Sequence, residues 1–279
     1  MKWIDLAVRP QFSWPDRRVE VPFEGKKVVL QPLTEELSCT ASLFDSSGTT
    51  FEDGGTILGR FLSRLAWSKE GGIVELFVAG SNNPDRPGRL GRGNHGTSAW
   101  ASVEPWDLLY LPIPTTAEAD LALALFREGM SINSDPFAFL SYFKILNISF
   151  PKGSAQIDWI NNNLSGIWYG PAVDRISELQ SSVTDLGDYL YVQGRCAVAH
   201  ANGTPVVNPD NYADKRRLFR DLPLMKEVAV LFIERELGVL TDSAFWRKYR
   251  NSRRMPPELL KRVDTADGRA AYEPCERDV

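Results

Sequence analysis

The stretch Tyr189-Leu190-Tyr191-Val192-Gln193-Gly194-Arg195-Cys196-Ala197-Val198-Ala199-His200-Ala201-Asn202-Gly203 decides how the chain is read. It sets an Arg five positions before a His, at the end of a helical pattern. A His titrates near neutral pH and can give or take a proton. An Arg offers a fixed fork of donors that suits phosphate oxygens. Their spacing is awkward for a regular helix. Five residues turn through about 500° and rise about 7.5 Å, leaving the side chains roughly 140° apart. Three arrangements would reconcile them. The Arg side chain could wrap round the helix, the helix could end or distort near His200, or each residue could work with the other residue of a second copy. Gly194 and the loop from Ala201 favour a distorted helix end.

Upstream of this stretch, Ile176, Leu179, Val183, Leu186 and Leu190 form one apolar stripe, which predicts a long helix over 171–200. Further helices are predicted at 119–129, 137–148 and 154–164. Another carries Leu218, Leu222, Met225, Val228, Ala229, Phe232 and Ile233 and stops near Gly238. Pro223 lies inside its pattern, so its start is expected at or just before that residue. The first part of the chain reads differently. Five of the eight tryptophans precede Pro112. Strands are predicted at 19–23 and 27–30 around the turn Glu24-Gly25, and at 38–44 and 72–79. Residues 57–67 have helical spacing. The run Pro112-Ile113-Pro114 breaks both patterns. The expected class is α+β: a mostly antiparallel β module over 1–112, then an all-α bundle over 117–250. Residues 263–279 hold five acids, two arginines and no period, and are expected to form a mobile tail.

Composition excludes several functions. The 279 residues are 43% hydrophobic and 24% charged, with a net charge of −4, as in a folded soluble protein. No stretch is long and apolar enough for a membrane span, and Asp5 interrupts any signal-peptide core. The three cysteines, Cys39, Cys196 and Cys275, are scattered, which fits a reducing, cytoplasmic setting. There are two histidines, His95 and His200, and neither CxxC nor HExxH, so no metal site and no cofactor are expected. The Gly-rich segment 88–96 lacks the Lys-Ser/Thr of a nucleotide-binding loop and reads as a surface loop. Arg247, Lys248, Arg250, Arg253 and Arg254, interleaved with Trp246 and Tyr249, form the most RNA-like patch.

The Arg195–His200 spacing, with Asp135-Pro136-Phe137-Ala138-Phe139-Leu140 opening an upstream helical hairpin, resembles the HEPN family over roughly residues 117–240. The layout of the whole chain, including Trp14-Pro15, resembles the MauJ group of methylamine-utilisation proteins. The HEPN resemblance implies a homodimer through the helices, with both Arg–His motifs lining one cleft. It also implies a metal-independent endoribonuclease. His200 would move the proton as the RNA 2′-OH attacks phosphorus, and Arg195 would stabilise the phosphate charge. Active members carry a polar residue after the Arg, where this chain has Cys196. That position supports the alternative, a non-catalytic binding or assembly module.

Overall fold

Glu24 and Gly25 both take positive φ, 50° and 69°. This is the left-handed pair of a type I′ hairpin turn. They join β2 (Val19–Phe23) to β3 (Lys26–Gln31), with Val21 opposite Val28. The computed structural model describes residues 3–44, 50–83, 86–91, 108, 110–202, 204–208, 211–251, 261–264 and 270–273. The described residues group into two compact units. One runs to Ile113 and resumes at Asp242, and the other is Pro114–Thr241.

In the first unit, β1 (Trp3–Pro10), β4 (Cys39–Phe44) and β5 (Ile73–Ser81) complete a five-stranded sheet. Its order is β2-β3-β4-β1-β5, and every pairing is antiparallel. The strand β1 has no counterpart among the sequence expectations. Six consecutive residues, Trp3 to Val8, are buried, so it lacks the in–out alternation that marks a strand. Helix α1 (Phe51–Ser68) covers the sheet. Thr50 caps it by accepting from the Asp53 N–H. Leu58, Phe61, Leu62 and Leu65 pack on Ile4, Leu43 and Val28.

Asp5 lies in the middle of β1 and is 1% exposed. Its Oδ2 accepts from the Gly88 N–H at 3.1 Å, while Oδ1 has no partner among the described residues. Gln31 Nε2 donates to the Gly88 carbonyl at 2.9 Å and to Ser42 Oγ at 3.2 Å. The start of the glycine-rich segment is thus fastened to the sheet, and its remainder, with His95, lies outside the described residues. Burial pushes the Asp5 carboxyl above the usual range, and hydrogen bonds from Ser42 and Gly88 partly oppose this. The folded state therefore holds this proton more tightly than the unfolded chain. Its stabilising contribution is full below the ordinary carboxylate value of about 4 and is lost as pH rises through the raised value. Urea midpoints measured across that window should fall with rising pH in the native protein and flatten in Asp5→Asn. Identical slopes in the two proteins would refute the assignment.

The second unit is helical: α2 (Ala117–Ser131), α3 (Asp135–Asn147), α4 (Gly153–Asn163), α5 (Gly170–Gln180), α6 (Leu186–Tyr189), α7 (Ala197–Ala199) and α8 (Tyr212–Glu236). Phe139, Phe143, Leu190, Leu218, Met225 and Phe232 form its buried centre. Two expectations need correction here. The long helix predicted over 171–200 is interrupted between α5 and α6. Asp185 caps a new helix by accepting from the Asp188 N–H at 2.8 Å. Helix α8 also starts eleven residues before Pro223, at Tyr212. The Asn211 side chain caps it by accepting from the Ala213 N–H, and buried Leu218 and Asp221 anchor its first turns ahead of the proline.

Helix α9 (Asp242–Asn251) groups with the sheet unit. Of the segment expected as a mobile tail, Ala270–Glu273 (β7) pairs antiparallel with Lys261–Asp264 (β6). Such a ladder satisfies backbone groups locally, which charge composition does not reveal. Among the described residues, no helix is long and apolar enough to cross a membrane. The molecule is thus α+β, an antiparallel sheet module followed by a helical region.

Candidate active site

The helix that begins at α6 changes its winding. Leu190–Cys196 is a π-helical segment, continued by the short turn α7. In π winding the hydrogen bonds run from i to i+5, so the turn is wider than in an α-helix. Against this segment lies α3. Tyr191 meets Phe143 edge-on at 6.0 Å, and Gly194 faces the buried Phe139 ring. A Cβ on Gly194 would fall on that ring. Gly194→Ala is therefore expected to cost about 1–3 kcal/mol through overpacking, even though alanine favours helix. Urea denaturation checks this, and an unchanged or raised midpoint would contradict it.

The helix stops at His200, whose backbone is extended at φ −124° and ψ 125°. The His200 N–H still donates to the Cys196 carbonyl at 3.0 Å. The following loop turns back, and the Val207 N–H donates to the Ala197 carbonyl at 2.9 Å. These features bring Arg195 and His200 together. Arg195 Nη1 lies 3.3 Å from His200 Nε2. Of the three arrangements open from the spacing, the distorted and terminated helix is the one present, within a single chain. The guanidinium also sits over the Tyr191 ring, 5.6 Å from its centroid, and Nη1 donates to Cys196 Sγ at 3.6 Å.

A guanidinium has donors only. A hydrogen bond in this contact therefore requires Nε2 as its acceptor. His200 is exposed and Arg195 half-buried. The pair thus combines an accessible proton acceptor with a fork of phosphate donors held by an aromatic ring.

A second cluster braces the same helix and was missed in the sequence. Asp221 on α8 is fully buried. Its Oδ1 accepts from Arg175 Nε at 2.9 Å, and Oδ2 accepts from the Tyr189 hydroxyl at 2.9 Å. Arg217 Nη1 reaches Oδ2 at 3.5 Å, and Arg175 also pairs with Glu178, which in turn pairs with Arg220. Burial pushes the Asp221 carboxyl up, and Arg175 is the main opposing influence. Tyr189 immediately precedes the π segment, so this cluster fixes the end from which Arg195 is held. The available signal was an acid at a buried-face position, three residues after Leu218 and four before Met225.

The remaining candidate residues are placed separately. Arg247 and Lys248 are exposed on α9, in the sheet unit. Arg250 belongs to the same helix, but its side chain lies outside the described residues, as do Arg253 and Arg254 entirely.

Comparison with curated proteins and with solved structures returns no match. Comparison with family models does. From within α2 to within α8, a span that holds Gly194, Arg195, His200 and Asp221, residues 122–234 match the family described as methylamine utilization protein MauJ.

Proposed function

We propose that the helical unit acts on RNA as a metal-independent endoribonuclease, with Arg195 and His200 as its catalytic residues. The observation that carries this reading is the 3.3 Å contact between Arg195 Nη1 and the acceptor nitrogen of exposed His200. An incoming phosphate would draw the guanidinium to its oxygens through charge-assisted hydrogen bonds, which are stronger than the bond to a neutral imidazole. Nε2 is then free to take the 2′-OH proton. The 2′-oxygen bonds to phosphorus, the bond to the 5′-oxygen breaks, and that oxygen receives a proton from the imidazolium of a second His200 in a homodimer, which is left neutral. The products are a 2′,3′-cyclic phosphate and a 5′-hydroxyl. Arg195 offsets the charge that builds on the phosphoryl oxygens. In the same reading, Arg247, Lys248, Arg250, Arg253 and Arg254 supply phosphate contacts to the RNA.

The contact between Arg195 Nη1 and Cys196 Sγ favours the alternative, a binding or assembly module in which the guanidinium stays parked. Cleavage of labelled single-stranded RNA in EDTA separates the two. Cleavage that survives chelation, ends in a cyclic phosphate and disappears in folded His200→Ala and Arg195→Ala supports the nuclease. Equal behaviour of wild type and both variants across varied RNAs leaves the binding module.

A further inference from the structure

The residue that holds Arg195 is itself held. The Arg195 guanidinium carbon sits 5.6 Å from the Tyr191 ring centroid, inside the range over which an aromatic face attracts a cation. The two residues lie four apart in the π segment Leu190–Cys196, so they are neighbours on its surface. The half-buried tyrosine ring is fixed by two other helices. It meets the buried Phe143 ring of α3 at 6.0 Å and 60°, close to the edge-to-face geometry that aromatic pairs prefer. Its far end lies against Gly153, the first residue of α4. A Cβ on Gly153 would stand 2.5 Å from both Cζ and Oη of Tyr191, so any larger residue there must displace the ring. Helix α3 thus supports the ring from the side, α4 abuts its tip, and one face carries Arg195.

We propose that Tyr191 is a positioning residue of the Arg195–His200 site, and that Gly153 sets where it stands. The inference rests on the reading of Arg195 as the phosphate-binding group. A long arginine side chain loses rotamer freedom when it must meet a phosphate. Over the ring that freedom is already restricted, with Nη1 3.3 Å from His200 Nε2. Tyr191 therefore acts through Arg195 and is assigned no contact with RNA. Its hydroxyl is dispensable in this role, since the negative face of the ring supplies the attraction. A residue of α4, outside the Arg–His stretch, thereby controls where the guanidinium rests.

The test follows two quantities in the full chain. One is the single-turnover rate of cleavage of labelled single-stranded RNA in EDTA. The other is the order of the Arg195 side chain, read from nitrogen relaxation of its Nε–H NMR signal, which is assigned by its absence from Arg195→Ala. Tyr191→Leu removes the ring face. Gly153→Ala pushes the ring aside from another helix and leaves Arg195 and His200 in place in the sequence. Each is expected to loosen the Arg195 signal and to slow cleavage about 10-fold, between the worth of an exposed cation–ring contact and the cost of a misplaced catalytic group. Tyr191→Phe should keep both quantities at wild-type values. Gly153→Ala should slow nothing further in the Tyr191→Leu background, where no ring tip remains to displace. Gly153→Ala also carries the test should Tyr191→Leu fail to fold, because the added methyl meets the movable end of a side chain. The proposal is overturned if both quantities stay at wild-type values in the folded variants, if Tyr191→Phe is as slow as Tyr191→Leu, or if the double variant is slower than Tyr191→Leu. If the wild type cleaves no RNA, the nuclease reading fails by itself. Arg195 order then decides the proposal: loosening in Tyr191→Leu and Gly153→Ala supports it, and unchanged order overturns it.

Discussion

Alanine at His200 is expected to slow RNA cleavage by about 10²–10⁴-fold, the usual contribution of a positioned acid–base group. The loss should appear in the single-turnover rate with enzyme in saturating excess over RNA. His200 is exposed and terminates its helix, so the variant should keep wild-type stability to within about 0.5 kcal/mol. Arg195→Ala should fall into the same range. Arg195→Lys should not recover the loss, because an ammonium lacks the planar fork that can span two phosphate oxygens. The double variant should be scarcely worse than either single one, since groups that act as a unit do not contribute additively. Wild-type rates in either folded single variant would end the assignment of these roles.

The largest stability effect is expected at Asp221. Asp221→Ala should lower the unfolding free energy by about 3–5 kcal/mol, because it strands a buried cation. Arg175 is 9% exposed and directs Nε and Nη2 at the lost carboxylate. The Tyr189 hydroxyl loses its acceptor in the same step. Asp221→Asn keeps the shape and one acceptor oxygen, and should cost less. Urea denaturation followed by circular dichroism measures both, and a loss below about 1 kcal/mol for the alanine variant would contradict the account. The same substitution should also impair any activity of the Arg–His pair, since Tyr189 anchors the start of the π segment.

Much of this organisation was legible in the sequence, and the exceptions have physical causes. The Glu24-Gly25 turn announced its hairpin because glycine readily takes the positive φ that so tight a loop uses here. Helix α1 showed its apolar spacing because Leu58, Phe61, Leu62 and Leu65 all enter the core that it shares with the sheet. The break before α6 was hidden because Leu179, Leu186 and Leu190 on both sides of it are buried. The apolar rhythm therefore ran through a turn that Asp185 alone could mark. Pro223 misled in the opposite direction, since packing at Leu218 and Asp221 carries the helix past a residue that removes one hydrogen bond. Arg195 and His200 could be selected by type and spacing. Their proximity could not, because π winding leaves no side-chain signature of its own and here depends on Gly194 lying against Phe139.

The position of β1 bears on how the sheet comes into being. Its neighbours are β4 and β5, which lie far along the chain, so the longest-range pairings of the sheet flank β1 on both sides. The hairpin of β2 and β3 can close early, but β1 must wait until residues 73–81 have been synthesised. Until then Trp3, Ile4, Leu6 and Val8 have no complete berth, and the loop that β1 and β5 close carries a large entropic cost. High contact order of this kind slows folding.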